Sequence, residues 1–195
     1  MRRSFDIAVS GILVAMIAPL FAAIAVAVVL DSGLPVFYSQ ERVGRGFRRF
    51  RIWKFRSMLR DNSGPRITVR GDSRITRVGK FLRATKLDEL PQFWNVFVGD
   101  MSLVGPRPEV FEYVEMYRER YLRILTVRPG ITDLASVSFR DEESVLAAAS
   151  DLTEYYARHV LPAKLDLAEE YLQKRSLLFD ISILLRTFGA LLRVS

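Results

Sequence analysis

Residues 7–30 run for 24 positions without a charge, bounded by Asp6 and Asp31. That length suffices for a helix to cross a bilayer. Pro19 falls in the middle of the run, where it removes a backbone hydrogen bond and bends a helix. Each half is then about 18 Å long at ~1.5 Å per residue, roughly one leaflet deep. Both flanks are basic: Arg2 and Arg3 precede the run, and Arg42, Arg45, Arg48, Arg49, Arg51, Lys54, Arg56 and Arg60 follow it. Positive charge favours the cytoplasmic side, so both ends ask for the same side. A re-entrant helix-break-helix over residues 1–31, turning at Ala18-Pro19, satisfies both demands; a straight or mildly kinked anchor is the alternative. A cleaved signal peptide fits less well, because the apolar run exceeds the usual core of roughly 7 to 15 residues. Val28-Val29-Leu30-Asp31 also offers no small-residue cleavage site.

Beyond Asp31 the chain turns polar and mixed. Residues 36–40 and 47–58 read as an extended pair across a turn at 44–46, and 62–65 as a loop. Helices are expected at 75–84 and about 88–97, the second ended by Gly99. Gly105-Pro106-Arg107-Pro108 must be a stiff loop, residues 109–124 have helical propensity, and Pro129-Gly130 punctuates again. Further helices follow at 144–160, 163–174 and 177–192. On a wheel of about 100° per residue, Leu178, Ile181, Leu184, Leu185, Phe188, Leu191 and Leu192 share one half of the last helix. Phe179 and Ile183 break that pattern. Such a helix packs on a core or lies in a membrane interface. The expected fold class is α+β. It is a mostly helical, membrane-associated single domain over residues 1–195, with the re-entrant segment, a short β hairpin and amphipathic interface helices; residues 32–195 form its cytoplasmic part.

The formal charge of +7 favours anionic partners, which include nucleic acid, lipid head groups and phosphorylated substrates. The chain has no cysteine and a single histidine, His159, which excludes disulfides, thiolate chemistry and histidine-based metal clusters. Any metal would be a hard cation on oxygen ligands, such as magnesium shared with substrate phosphates.

The sharpest local signal is Leu87-Asp88-Glu89-Leu90-Pro91-Gln92, two adjacent carboxylates just after the basic run Arg74, Arg77, Lys80, Arg83 and Lys86. The plain reading makes Asp88 a helix N-cap and Glu89 a first-turn acid favoured by the helix dipole. The chemical reading makes Asp88 a nucleophile, because a carboxylate can attack phosphorus and form an acyl phosphate. Its pKa, about 3.9 unperturbed, is expected to be lowered further by a helix N-terminus and nearby cations. Glu89 would hold magnesium on a diphosphate, while Arg83 and Arg107 neutralise the spreading charge. Lys54 and Arg56 share one strand face and can both reach a phosphate, although solvated charge serves equally well. Arg107, stiffened between Pro106 and Pro108, suits a phosphate or uridine contact or a structural bond to loop carbonyls. His159 and the acids Asp141, Glu142 and Glu143 are assigned no chemistry.

The order of motifs resembles the monotopic phosphoglycosyl transferases, or bacterial sugar transferases of the polyprenyl-phosphate hexose-1-phosphate transferase type. Asp6 and the proline-centred run are followed by Gln40-Glu41-Arg42-Val43-Gly44, Lys54-Phe55-Arg56-Ser57-Met58 and Thr76-Arg77-Val78-Gly79-Lys80-Phe81-Leu82-Arg83. Leu87-Asp88-Glu89-Leu90-Pro91-Gln92, Asn95-Val96, residues 99–108 and Arg128-Pro129-Gly130-Ile131-Thr132 complete the series. The resemblance implies a two-step reaction at the inner membrane, with residues 32–195 as the catalytic part on the cytoplasmic face. Asp88 takes a phospho-sugar from a UDP-sugar, UMP leaves, and polyprenyl (undecaprenyl) phosphate collects the phospho-sugar, which initiates glycoconjugate or polysaccharide assembly. It also implies Glu89 as the magnesium ligand, the re-entrant topology, contact with membrane phospholipids, and a minimal catalytic form without further N-terminal spans. Ala18 stands where the family commonly has serine before the breaking proline. Lys86 replaces a frequent serine, and residues 131–136 depart from the usual glycine and glutamine pattern.

Two other classes compete. Basic residues alternating with Phe47, Phe50, Trp53 and Phe55 suit a tethered nucleic-acid binder, but that leaves the Asp88-Glu89 pair without a purpose, so no nucleic-acid partner is expected. A non-catalytic scaffold for envelope polysaccharide assembly would tolerate Asp88→Asn. The sugar is not legible in the sequence, and the oligomeric state, including a homo-oligomer, stays open.

Overall fold

The computed structural model describes residues 2–59, 71–138 and 151–192. The expected loop at 62–65, the start of the helix at 144 and the acids at 141–143 lie outside the described residues.

Two helices, α1 (Arg2–Met16) and α2 (Ala18–Ser32), meet at Ile17 with their axes bent by 59°. Pro19 sits in the first turn of α2, where its missing N–H is tolerated and its ring prevents α1 from continuing straight. Ile17 keeps a bond to each arm, its N donating to Leu13 O at 2.9 Å and its O accepting from Phe21 N at 2.8 Å. The segment is therefore an open V bent one residue before Ala18-Pro19, not two arms folded back on each other. Among the described residues no single helix is long and apolar enough to cross a membrane, although the bent pair together meets that length.

Both flanking acids tie the V to one body. Asp6 Oδ2 accepts from Ser102 Oγ at 2.6 Å and its Oδ1 from Leu103 N at 3.3 Å. Asp31 Oδ2 accepts from Val78 N at 2.9 Å. Arg3 adds bonds to the carbonyls of Val96 and Phe97 at 2.6 and 2.8 Å.

Strands β1 (Phe37–Val43) and β2 (Arg49–Phe55) form the expected antiparallel hairpin, with Phe37 opposite Phe55 and Val43 opposite Arg49. Along β2, Phe50 and Ile52 turn inward while Arg49, Arg51 and Trp53 face out, the period-2 pattern of a half-buried strand. Phe21 of α2 packs on Phe55 with ring centroids 4.5 Å apart, so the hairpin rests against the bent helices.

Helix α3 (Arg77–Ala84) begins on Thr76, whose Oγ1 accepts from Gly79 N at 2.9 Å. A 3-10 turn at Leu87–Glu89 leads into α4 (Gln92–Val98), which packs along α1. The sequence did not announce the parallel pair β3 (Ser102–Val104) and β4 (Gly130–Thr132), three residues each. The helix expected at 109–124 is two, α5 (Phe111–Met116) and α6 (Arg118–Ile124), broken at Tyr117, whose Oη donates to Ala157 O at 2.8 Å. After α7 (Leu134–Ser138), α8 (Leu152–Tyr155) passes through a π turn at Tyr156–Val160 into α9 (Leu161–Lys174), and α10 (Leu177–Leu192) follows.

The last helix corrects its wheel. Ile183, which broke the apolar stripe, is fully buried with Val104 and Tyr171, and Phe179 and Leu184 pack beside it. Most of the stripe faces out: Leu178 is 80% exposed, Leu185 67% and Phe188 61%, while Leu184 turns to the core. Asp180 is drawn inward by Tyr171 Oη at 2.8 Å and by Arg2 at 3.2 Å, and this rotates the stripe away from the core. Ile183→Ala is expected to destabilise the protein by about 2 to 5 kcal/mol through the cavity it leaves. Leu185→Ala should stay within about 0.5 kcal/mol. Denaturant unfolding in detergent checks both, and the opposite ranking would place the core on the other face of α10.

Candidate functional site

The acidic pair is built by local geometry before any long-range contact. Lys86 adopts a left-handed backbone, φ 58°, and throws the chain into the tight turn that carries Asp88 and Glu89. Such a φ is uncommon outside glycine and marks a position that the surroundings enforce. Neither acid caps α4, whose N-cap is Pro91 with no side-chain bond. The plain reading of Asp88 as an N-cap is thereby set aside.

Glu89 Oε1 receives two cations, Lys54 Nζ at 2.6 Å from β2 and Arg107 Nη2 at 2.7 Å from the loop after β3. Burial alone would raise the Glu89 carboxyl, but Arg107 and Lys54 together hold it well below the usual carboxylate range. Arg107 is in turn held charged, chiefly by Glu89.

Asp88 is buried, and its Oδ1 has no hydrogen-bond partner among the described residues. Burial pushes its carboxyl up; Lys54 opposes this, the Glu89 charge adds to it, and Arg83 and Lys86 oppose it again. The net shift is upward, which corrects the expectation of a lowered pKa: no helix N-terminus supports the group, and desolvation outweighs the cations. An oxygen that has lost water without gaining a donor is a poorly stabilised, reactive acceptor.

Arg107 is placed by backbone bonds. Gly105 N donates to Thr132 O at 3.1 Å, Gly130 N to Pro106 O at 3.0 Å, and Arg107 N to Asp133 Oδ2 at 3.1 Å. Asp133 is itself fixed by Ser136 N at 2.7 Å and Ser136 Oγ at 2.6 Å. The chains approach so closely that a Cβ on Gly130 would lie 2.1 Å from Gly105 N.

The structure thus gathers Asp88, Glu89, Lys54, Arg83 and Arg107 around one turn, with Arg83 acting on Asp88 from the last turn of α3, while Pro106 serves the loop behind Arg107 by accepting from Gly130 N. Arg56 stands apart, donating through Nη2 to Ser32 O at 2.8 Å, to Ser32 Oγ at 2.9 Å and to Gly33 O at the end of α2. Ala18 and Pro19 belong to the bend. Sequence reasoning missed Glu109, which is buried and accepts from Tyr156 Oη at 2.6 Å and from Arg42 Nη1 at 3.1 Å. With Pro106, Arg107, Asp133 and Lys164 it lines a cleft behind Arg107. The only signal was its place directly after the stiff loop.

No group of three or more acidic, histidine or cysteine side chains is poised for a metal among the described residues. The acidic pair fits a cation that keeps most of its ligands from substrate oxygens and water, which is the habit of magnesium. Both bonds to Glu89 fall on Oε1 rather than Oε2.

Fold and site together define a helix-rich α+β protein with a bent apolar N-terminal pair and an acidic dyad set in a cationic pocket. The chain belongs to the bacterial sugar transferase family, whose model matches residues 1–194. It is 39% identical to the UDP-N-acetylgalactosamine-undecaprenyl-phosphate N-acetylgalactosaminephosphotransferase of Aeromonas hydrophila, over 98% of this chain and 43% of that protein. It is 38% identical to the UDP-glucose:undecaprenyl-phosphate glucose-1-phosphate transferase of Escherichia coli K12, over 96% and 39%. The protein of the same name from Caulobacter vibrioides is 39% identical over 98% of this chain and 69% of its own length. The chain therefore spans about two fifths of the length of the Aeromonas and Escherichia relatives.

Gly130→Ala is expected to cost ~1–3 kcal/mol by forcing β3 and β4 apart at the point that sets Arg107. Gly46→Ala, at a turn where a Cβ meets nothing within 4 Å, carries only the strain of φ 64° and should cost less. Thermal unfolding of the two variants checks this, and equal losses would mean that the close approach is not what places the loop.

Proposed function

We propose that this chain transfers a sugar-1-phosphate from a UDP-sugar to polyprenyl (undecaprenyl) phosphate, releases UMP, and so initiates bacterial glycoconjugate or polysaccharide assembly. The observation that carries the reading is Asp88 Oδ1, buried and unpartnered among the described residues, beside a carboxylate held by two cations. The named activities of the relatives supply the substrate classes.

In the first step Asp88 Oδ1 attacks the sugar-bearing phosphorus of the donor. The bond from that phosphorus to the bridging oxygen breaks, UMP leaves with the electron pair, and an aspartyl phosphosugar remains. In the second, a phosphate oxygen of the lipid attacks the same phosphorus, the acyl-phosphate bond breaks, and the Asp88 carboxylate returns. Lys54, Arg83 and Arg107 lie where charge spreads over the phosphoryl oxygens. Glu89 orients Lys54 and Arg107 and is the carboxylate to hold a magnesium ion. When bound, such an ion neutralises diphosphate charge. Because Glu89 already carries two cations, a third gains little until the diphosphate arrives.

The same reading places the V at the inner membrane as a re-entrant segment, with the catalytic part on the cytoplasmic face. Both ends of the V are tied to one body through Asp6 and Asp31, as a segment entering and leaving on one side requires. Arms of about 22 Å, each inclined at about half the bend, reach only ~11 Å deep, within one leaflet. Exposed Ile12, Met16, Val26 and Leu30 on the V and Leu178, Leu185 and Phe188 on α10 form the apolar surface that phospholipid would cover.

Purified protein with magnesium and polyprenyl phosphate, offered a panel of UDP-sugars, is expected to release UMP with one of them, and Asp88→Asn to release none. Full turnover by Asp88→Asn would reject the covalent route; failure with every sugar would favour the scaffold. Calorimetry should detect magnesium binding only with donor present. Equal binding to the protein alone would show that Glu89 holds the ion without the diphosphate.

A further inference from the structure

Arg56 is 6% exposed, and none of its bonds goes to a carboxylate. Its Nη2 serves the oxygens at the end of α2, while Nε and Nη1 are buried without a partner among the described residues. Helix-end carbonyls offset part of a buried cation's desolvation, but here they reach one nitrogen of three. Guanidinium donors left unmet inside a protein point to an anion that completes them.

The position says which anion. Lys54 lies in β2 and Arg56 just past its end, two residues apart, with Arg56 N still paired to Val36 O at 2.9 Å. Lys54 reaches the catalytic turn at Glu89, whereas Arg56, about 7 Å further along at ~3.3 Å per residue, reaches the last turn of α2. The route from Glu89 through Lys54 to Arg56 therefore ends where the apolar run ends. A hydrocarbon chain lying along exposed Leu20, Val26 and Leu30 would bring its head group to that point.

We propose that Arg56 binds the phosphate monoester of the lipid acceptor, leaving the donor to Lys54, Arg83 and Arg107. The assignment rests on the two-step reaction above and deepens it. The two steps separate the roles: loading of Asp88 needs donor only, and discharge needs acceptor.

The full chain in nonionic detergent, without phospholipid, is mixed with UDP-sugar labelled in the sugar, and label on the protein is followed by rapid quench. Polyprenyl phosphate is then titrated in. For Arg56→Gln, loading is expected to stay within about threefold of the unmodified protein, while the apparent KM for polyprenyl phosphate rises about tenfold or more. Arg56→Lys, which keeps the charge at the helix end, should fall between. Should Arg56→Gln fail to fold, the Lys variant decides by the same split between loading and KM. Parallel loss of loading and discharge would reduce Arg56 to a cap on α2, and an unchanged acceptor KM would also overturn the assignment. Inorganic phosphate blocking discharge as well as a lipid phosphate does would assign a free-anion site instead. If the unmodified protein loads no label, the reaction falls and the assignment with it; if it loads and only the Arg56 result fails, the reaction stands.

Discussion

Glu89 is gripped by Lys54 from the hairpin and by Arg107 from the loop after β3, and the site depends on that clasp. It joins three parts of the chain: the end of β2, the turn set by Lys86, and the glycine-proline loop fixed by β4. Ion pairs at a surface contribute little, but these carboxylate oxygens are largely withdrawn from water, and losing one cation would leave the others uncompensated. The clasp also spaces the cations. It keeps Lys54 and Arg107 from folding onto Asp88, whose Oδ1 has no donor among the described residues.

Two adjacent acids thereby acquire opposite characters. Glu89 is held ionised by its partners, while Asp88 is pushed up by burial and by the charge next to it. Pairs of titratable groups driven apart by their surroundings are a recurrent basis for assigning chemical roles. In the proposed reaction the less stabilised carboxylate is the one that attacks, and the stabilised one organises cations. The bent helices serve the same end, since Asp6 and Asp31 anchor both of their ends on the body that carries the dyad.

Much of this was written plainly in the chain. The unbroken apolar run with its central proline, the hairpin around Gly44 and Gly46, and the stiffness of residues 105–108 follow from local chemistry, although β1 runs three residues beyond its expected end and β2 stops three short. What could not be read depends on partners distant in sequence. Residues 102–104 and 130–132 are too short to announce strands, and pair only because glycines at 105 and 130 permit close contact. The wheel of α10 left both a core and an interface face open, because it ranks hydrophobicity and cannot know that Tyr171 and Arg2 pull Asp180 inward. The shift at Asp88 had the opposite sign because its burial outweighed the cations that the sequence put beside it.

The most direct measurement is the mass of the protein after a brief reaction with donor in the absence of lipid acceptor, followed by peptide mapping. The account predicts an added phospho-sugar on the peptide that contains Asp88, released when polyprenyl phosphate is supplied. An unmodified protein under conditions where UMP is formed, or an adduct on any other residue, would contradict it.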